Sequence, residues 1–177
     1  QRYFNQNYGG VFNVNIGYNS GISQTTGNYN TLVGYITGDS LTSGYGNVFV
    51  GSGVGDATEV GNNLTIIGNG AGKGVMTADA AGAVGIGAGS LVALTSGERN
   101  LAIGYEALKQ DDDMDDSIAI GYQALYGTGT GTNNKNIAIG NYALDANMTH
   151  NVNNIAIGHQ ALTNLAGSGA IDNTFIG

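Results

Sequence analysis

An aliphatic residue followed by glycine returns ten times along this chain: Ile16-Gly17, Val33-Gly34, Val50-Gly51, Ile67-Gly68, Ile86-Gly87, Ile103-Gly104, Ile120-Gly121, Ile139-Gly140, Ile157-Gly158 and Ile176-Gly177. The glycine-to-glycine steps are 17, 17, 17, 19, 17, 17, 19, 18 and 19 residues. A period held so tightly makes the repeat the folding unit. A segment this short cannot bury its own apolar face, so it has to stack on its neighbours.

Two residues before each glycine's aliphatic partner stands another strand former: Val14, Thr31, Val48, Thr65, Val84, Leu101, Ile118, Ile137, Ile155 and Thr174. Period-two spacing with β-branched enrichment predicts a three-residue strand in every unit. Its two outer positions share one face, which is expected to line the coil's own core. The glycine that follows suits a corner with positive φ or close backbone approach. Ahead of the strand, Asn13, Asn30, Asn47, Asn100, Asn136, Asn154 and Asn173 occupy one register, with Ser117 in place of Asn once. Asn there can bond local backbone at the turn or stack as a ladder from coil to coil. One short strand per unit predicts an all-β fold: a parallel β-solenoid of about ten coils of 17–19 residues. At about 4.8 Å per strand it is a rod roughly 43 Å long.

The middle residue of each strand is expected to face away from that core, yet it is apolar in most units: Leu32, Phe49, Ile66, Ala102, Ala119, Ala138, Ala156 and Phe175, with Asn15 and Gly85 as exceptions. A rod with an apolar stripe along its length calls for self-association about an axis parallel to the rod. The expected assembly is a homotrimer, with the small Ala positions allowing close approach.

The units fall into two kinds. After the corner glycine the first four carry Gly21, Gly38, Gly55 and Gly72 at the fifth position, whereas later ones carry Leu91, Leu108, Leu125, Leu144 and Leu162. The second kind is expected to have a thicker core or interface. The whole chain, 1–177, reads as a single repeat domain: a lead-in at 1–10, glycine-type coils at 11–72, a transition with an insertion at 73–86, and leucine-type coils at 87–177.

Composition narrows the function classes. With 32 glycines, no tryptophan and four phenylalanines, there is little bulk for the rounded core of a compact α/β enzyme. A net charge of −8 argues against nucleic acid and anionic membrane as partners. No apolar run is long enough to span a bilayer, and the absence of cysteine excludes disulfides and thiolate zinc sites. The chain opens on QRYFNQN and stops on the repeated motif, so it is read as a piece of a longer or processed protein.

The units NLAIGYEAL at Asn100–Leu108 and SIAIGYQAL at Ser117–Leu125 resemble the head repeats of YadA-type trimeric autotransporter adhesins. They are still more similar to the arrays of phage tail fibres and trimeric bacterial surface fibres. The resemblance runs from about Val11 to Gly177, with a period longer than that of the adhesin head. It implies a left-handed parallel β-roll, assembled as a trimer in an extracellular fibre at a cell surface or on a virion. Such a fibre contacts a host or prey cell through a surface glycan or protein receptor.

Side chains with chemistry are few, and no enzymatic activity and no cofactor are expected. His150 and His159 sit in no spacing that makes a metal pair or an acid/base dyad. Hexapeptide-repeat acyltransferases, the enzymatic alternative, would require three hexads per coil where this chain has one. The run Asp111, Asp112, Asp113, Met114, Asp115, Asp116 could attract calcium, but it lies in a variable turn without EF-hand spacing and reads as a solvated acidic loop. No metal site is assigned. The Gly-rich stretch Gly127–Gly131 lacks the Lys-Ser/Thr pair of a phosphate loop. The glycosylation triplets at Asn63 and Asn147 read as incidental, the first being placed inside a buried strand.

Tyr18, Tyr35, Tyr105 and Tyr122, with His159, share the slot after the corner glycine. Beside Asn, Gln and Asp they could stack on sugar rings, or they could form a ladder that packs coil on coil. An ice- or mineral-ordering solenoid is the alternative non-enzymatic reading. It would need an unbroken rank of Thr, and Thr31, Thr65 and Thr174 are interrupted by Val, Leu and Ile.

Overall fold

The computed structural model describes residues 10–127, 133–146, 148–163 and 167–177. Twelve strands occur among them: β1 Val14–Ile16, β2 Thr31–Val33, β3 Val48–Val50, β4 Thr65–Ile67, β5 Val84–Ile86, β6 Leu101–Ile103, β7 Ile118–Ile120, β8 Ile137–Ile139, β9 Met148–Thr149, β10 Ile155–Ile157, β11 Gly167–Ser168 and β12 Thr174–Ile176. Ten of them, all but β9 and β11, form one sheet in sequence order. Every pair is parallel and in register, as in Leu101↔Ile118 and Ile103↔Ile120. The two short strands β9 and β11 pair with each other. The chain is a parallel β-solenoid of about nine turns.

Each coil is built on the next by main-chain hydrogen bonds: Val14 N donates to Asn30 O at 2.8 Å, and Gly34 N to Ile16 O at 2.8 Å. The corner glycines are required by that stacking. Gly17, Gly34, Gly51, Gly68, Gly87, Gly104, Gly121, Gly140 and Gly158 all have φ between +130° and +145°. A Cβ on Gly121 would sit 2.6 Å from the carbonyl oxygen of Gly140 in the next coil. No side chain fits there without separating the coils.

The alternation along the strands is the reverse of the sequence expectation. The middle residues Leu32, Phe49, Ile66, Ala102, Ala119, Ala138 and Ala156 are wholly buried and form the solenoid's own core. The flanking residues, such as Ile118 and Ile120, are half-exposed on the outer face. The Ala positions therefore do not mediate approach between chains. Each coil closes on the inner face of its strand, and the three-residue strand has only one side chain on that face.

The leucines that replace glycine at the fifth position keep its backbone conformation. Leu91, Leu108, Leu125 and Leu144 have φ of 49° to 53°, beside 53° to 59° for Gly21, Gly38, Gly55 and Gly72. Their side chains are buried. The second half is therefore not thicker; Ala with Leu fills the space that a large middle residue with Gly fills in the first half.

The Asn register is a ladder. Asn30 Oδ1 accepts from both the backbone N of Asn47 (2.9 Å) and its Nδ2 (3.0 Å), and Asn47 Nδ2 donates to Gly61 O at 2.7 Å. Asn154 and Asn173 repeat the pattern on Asn136 and Asn154. Leu64 and Ala83 also occupy this register, and Asn47 Oδ1 caps Leu64 N at 3.0 Å. In the insertion at 73–86 the chain makes a 3₁₀ turn, Ala78–Ala80, capped by Thr77. The sheet continues across it, with Thr65 opposite Val84.

Candidate functional site

The outward face of the ten-stranded sheet carries two columns of side chains. Position by position they are Val14 and Ile16, Thr31 and Val33, Val48 and Val50, Thr65 and Ile67, Val84 and Ile86, Leu101 and Ile103, Ile118 and Ile120, Ile137 and Ile139, Ile155 and Ile157, and Thr174 and Ile176. No charged residue interrupts them, and β-branched side chains on a pleated surface make the face flat and stiff. With strands about 4.8 Å apart it extends roughly 43 Å along the rod. The expected apolar stripe is thus present, but it consists mainly of Val and Ile, with Leu101 and three Thr, rather than of the Ala residues.

A second surface lies beyond the corner glycines. Tyr18 stacks on Tyr35 with centroids 5.5 Å apart, and Tyr105 on Tyr122 at 5.2 Å. Tyr142 meets Tyr122 edge-on at 5.2 Å, and His159 stands edge-on to Tyr142 at 6.3 Å. Coil-to-coil stacking is therefore what this slot does, yet the rings stay open: Tyr105 is 48 % and Tyr122 40 % exposed. Glu106 follows Tyr105 in the chain. Lys109 Nζ donates to its Oε1 at 2.6 Å and Gln123 Nε2 to its Oε2 at 2.7 Å, and these bonds hold its carboxyl below the usual range. Tyr142 falls outside the periodic slot, being two residues past its corner glycine rather than one. Phe12 and Tyr29, stacked at 5.2 Å, lie outside that slot too, and their spacing of 17 residues, which repeats the period, is the signal that marks them.

Between the two tyrosine pairs the same edge is bare. Coils three to five place Ser52-Gly53, Asn69-Gly70 and Ala88-Gly89 where their neighbours carry Tyr35-Ile36 and Tyr105-Glu106. A Cβ on Gly70 would meet nothing within 4 Å. The positive φ of 61° there does not demand glycine, since Asn19, Glu106, Gln123 and Gln160 adopt it in the equivalent place.

The acidic run separates into two parts. Asp116 pairs with Arg99, its Oδ1 2.6 Å from Nε, which lowers its carboxyl's pKa. Asp115 accepts from Glu98 N at 2.8 Å and from Asn134 Nδ2 at 3.1 Å. Asp112 and Asp113 are exposed, as a solvated loop requires, but Asp111 is not: its side chain points into the solenoid and is 1 % exposed. Burial, then the charges of Asp113 and Asp112, push its carboxyl up to about 6 against a lowering hydrogen bond from Asn133. A single inward-facing Asp among outward ones cannot be told from composition. Its signal is the register, seven residues past the corner glycine, where Leu41 and Leu94 are core residues.

Asn63 is exposed and lies just ahead of β4, not inside it. The Gly-rich stretch beyond Gly127 and the residue Asn147 lie outside the described residues. His150 is exposed, and no helix among the described residues is long and apolar enough to cross a membrane.

Geometry and fold define a parallel β-solenoid repeat protein with a broad apolar outer face and an aromatic edge. Comparison with protein-family models, with curated proteins and with solved structures finds no match.

Proposed function

We propose that this chain is a non-enzymatic structural and adhesive segment of an extracellular fibre, a left-handed β-roll assembled as a homotrimer that contacts a host or prey cell surface. The observation that carries the reading is the outer sheet face: 20 side chains in two columns, 17 of them Val, Ile or Leu and three Thr, without one charge. Contiguous apolar surface of several hundred Å² is rarely left to water. A face made of the same two columns from end to end matches a copy of itself along the whole rod, and association about the rod axis covers it in every coil at once.

The aromatic edge supports the adhesive part. Tyr18, Tyr35, Tyr105 and Tyr122 expose rings beside Asn, Gln and Glu side chains, a chemistry suited to sugar rings and their hydroxyls. Weak sites repeated on three chains gain by multivalency.

Light scattering on the purified chain tests the assembly. A mass of three chains, in a rod by small-angle scattering, is the expected result, and a monomer at micromolar concentration would remove the proposal. Replacing Tyr105 and Tyr122 by Ala should weaken binding to cells and to a glycan array at unchanged mass. Undiminished binding would restrict these tyrosines to stacking.

A further inference from the structure

We propose that Asp111, Asp112 and Asp113 hold a divalent cation of the hard, oxygen-seeking kind, calcium in the first instance. One carboxylate oxygen from each lies within 4.8 Å of the others. Calcium–oxygen bonds of about 2.4 Å allow two ligands to be as far apart as about 4.8 Å across the ion, so every pair of these oxygens falls within the span of one ion, and small side-chain rotations bring the third into its shell. Closeness alone would leave an ordinary acidic patch.

The second observation is the state of Asp111. Its side chain is buried, its Oδ2 accepts from Asn133 Nδ2 at 2.9 Å, and its Oδ1 is buried with no hydrogen-bond partner. A buried carboxylate oxygen requires a donor or a positive charge. Among the described residues the ion pairs fall elsewhere, at Arg99 with Glu98 and Asp116 and at Lys109 with Glu106, and none reaches Asp111, Asp112 or Asp113. The adjoining carboxylates have no proton to offer when ionised, and they add their own repulsion. A cation satisfies Oδ1 and neutralises the repulsion together.

The donor set selects the ion. All three ligands are carboxylates, with no imidazole or thiolate, which suits calcium and other hard cations and disfavours zinc or copper. Water would complete a shell of six to eight oxygens on the exposed side, next to Asp112 and Asp113. Asp115 and Asp116 are already engaged, so the ion belongs to the first three residues of the run rather than to its total charge.

The test is calorimetric titration of the chelator-stripped chain with calcium chloride, paired with thermal unfolding with and without calcium. Saturable binding of one ion per chain and a raised melting temperature are expected. Asp111→Asn keeps the shape and the bond to Asn133, and it should weaken binding by about tenfold or more through loss of one charged ligand. Asp112→Asn, at an exposed position, should do the same with folding unaffected, and Asp79→Asn, an exposed acid elsewhere, should leave binding unchanged. Absence of saturable calcium binding by the unaltered chain would overturn the assignment. So would Asp112→Asn titrating like the unaltered chain, or Asp79→Asn losing as much as Asp112→Asn, which would mark general charge attraction.

Discussion

Phe49 lies over Gly55 so closely that a Cβ on the glycine would come 2.6 Å from Phe49 Cε2. Six residues separate them, and the same pair of positions is Leu32 with Gly38 and Ile66 with Gly72. In the later coils the sizes are exchanged: Gly85 with Leu91, Ala102 with Leu108, Ala119 with Leu125, Ala138 with Leu144. A Cβ on Gly85 would come 2.8 Å from Leu91 Cδ1. One volume in each coil is filled once, from the strand or from the turn. Gly55→Leu alone should therefore destabilise by about 1–3 kcal/mol through overpacking. Phe49→Ala alone should cost about 3–5 kcal/mol through the cavity. The double variant should cost clearly less than the sum, and urea denaturation of all four proteins measures that coupling.

The corner glycines should tolerate no side chain. In Gly121→Ala the new methyl meets the Gly140 carbonyl at 2.6 Å, so the coils must part and lose inter-coil hydrogen bonds. A loss of about 3 kcal/mol or more is expected, given roughly 1 kcal/mol per hydrogen bond and the φ of +135° that alanine avoids. Gly70→Ala has open space and should cost only the left-handed backbone, about 1–2 kcal/mol. Equal losses in thermal melts would show that stacking is not what requires the corner glycine.

Neighbouring residues of one strand should respond oppositely to charge. Ala119→Asp puts a carboxylate into the core and should prevent folding, as read by circular dichroism. Ile120→Asp puts it on the outer face and should keep the β spectrum while lowering the mass by light scattering. If Ala119→Asp folded and Ile120→Asp did not, the inward and outward assignments would be reversed.

Asp39 supplies a pH dependence. Burial, then the charge of Asp56, raises its pKa, and its Oδ1 is buried without a partner. A carboxyl whose pKa is higher in the folded than in the unfolded chain favours folding while protonated. Its contribution is complete below the ordinary carboxylate pKa and is lost as pH rises through the raised one. Asp39→Asn should therefore melt higher than the unaltered chain at pH 7, with the gap closing toward pH 3. A gap that widens on acidification would refute the assignment.

Much of the architecture is legible in the residues themselves. The Gly period, the β-branched triplets and the Asn register each express a local requirement: close backbone approach at Gly17 through Gly158, extended backbone at the strands, and side-chain bonds from coil to coil at Asn30, Asn47 and Asn154. Repetition makes these requirements readable, because a stacked coil imposes them again at every step. The aromatic slot at Tyr18, Tyr35, Tyr105 and Tyr122 was legible for the same reason.

Only the tertiary structure decided which face of the strand is inside. Both faces are apolar, and alternation separates them without ranking them. The ranking comes from coil closure, which leaves room for one inward side chain per strand and sets its size against the residue six positions on. That size exchange was written in Phe49 with Gly55 and in Ala102 with Leu108, but it has meaning only once the two positions are known to touch. Asp111 follows the same logic. Its sequence neighbours are solvated carboxylates, and its burial comes from the register that makes Leu41 and Leu94 core residues in other coils. Sequence period determined the solenoid; contact across the coil determined its inside, its outside and the burial of Asp111.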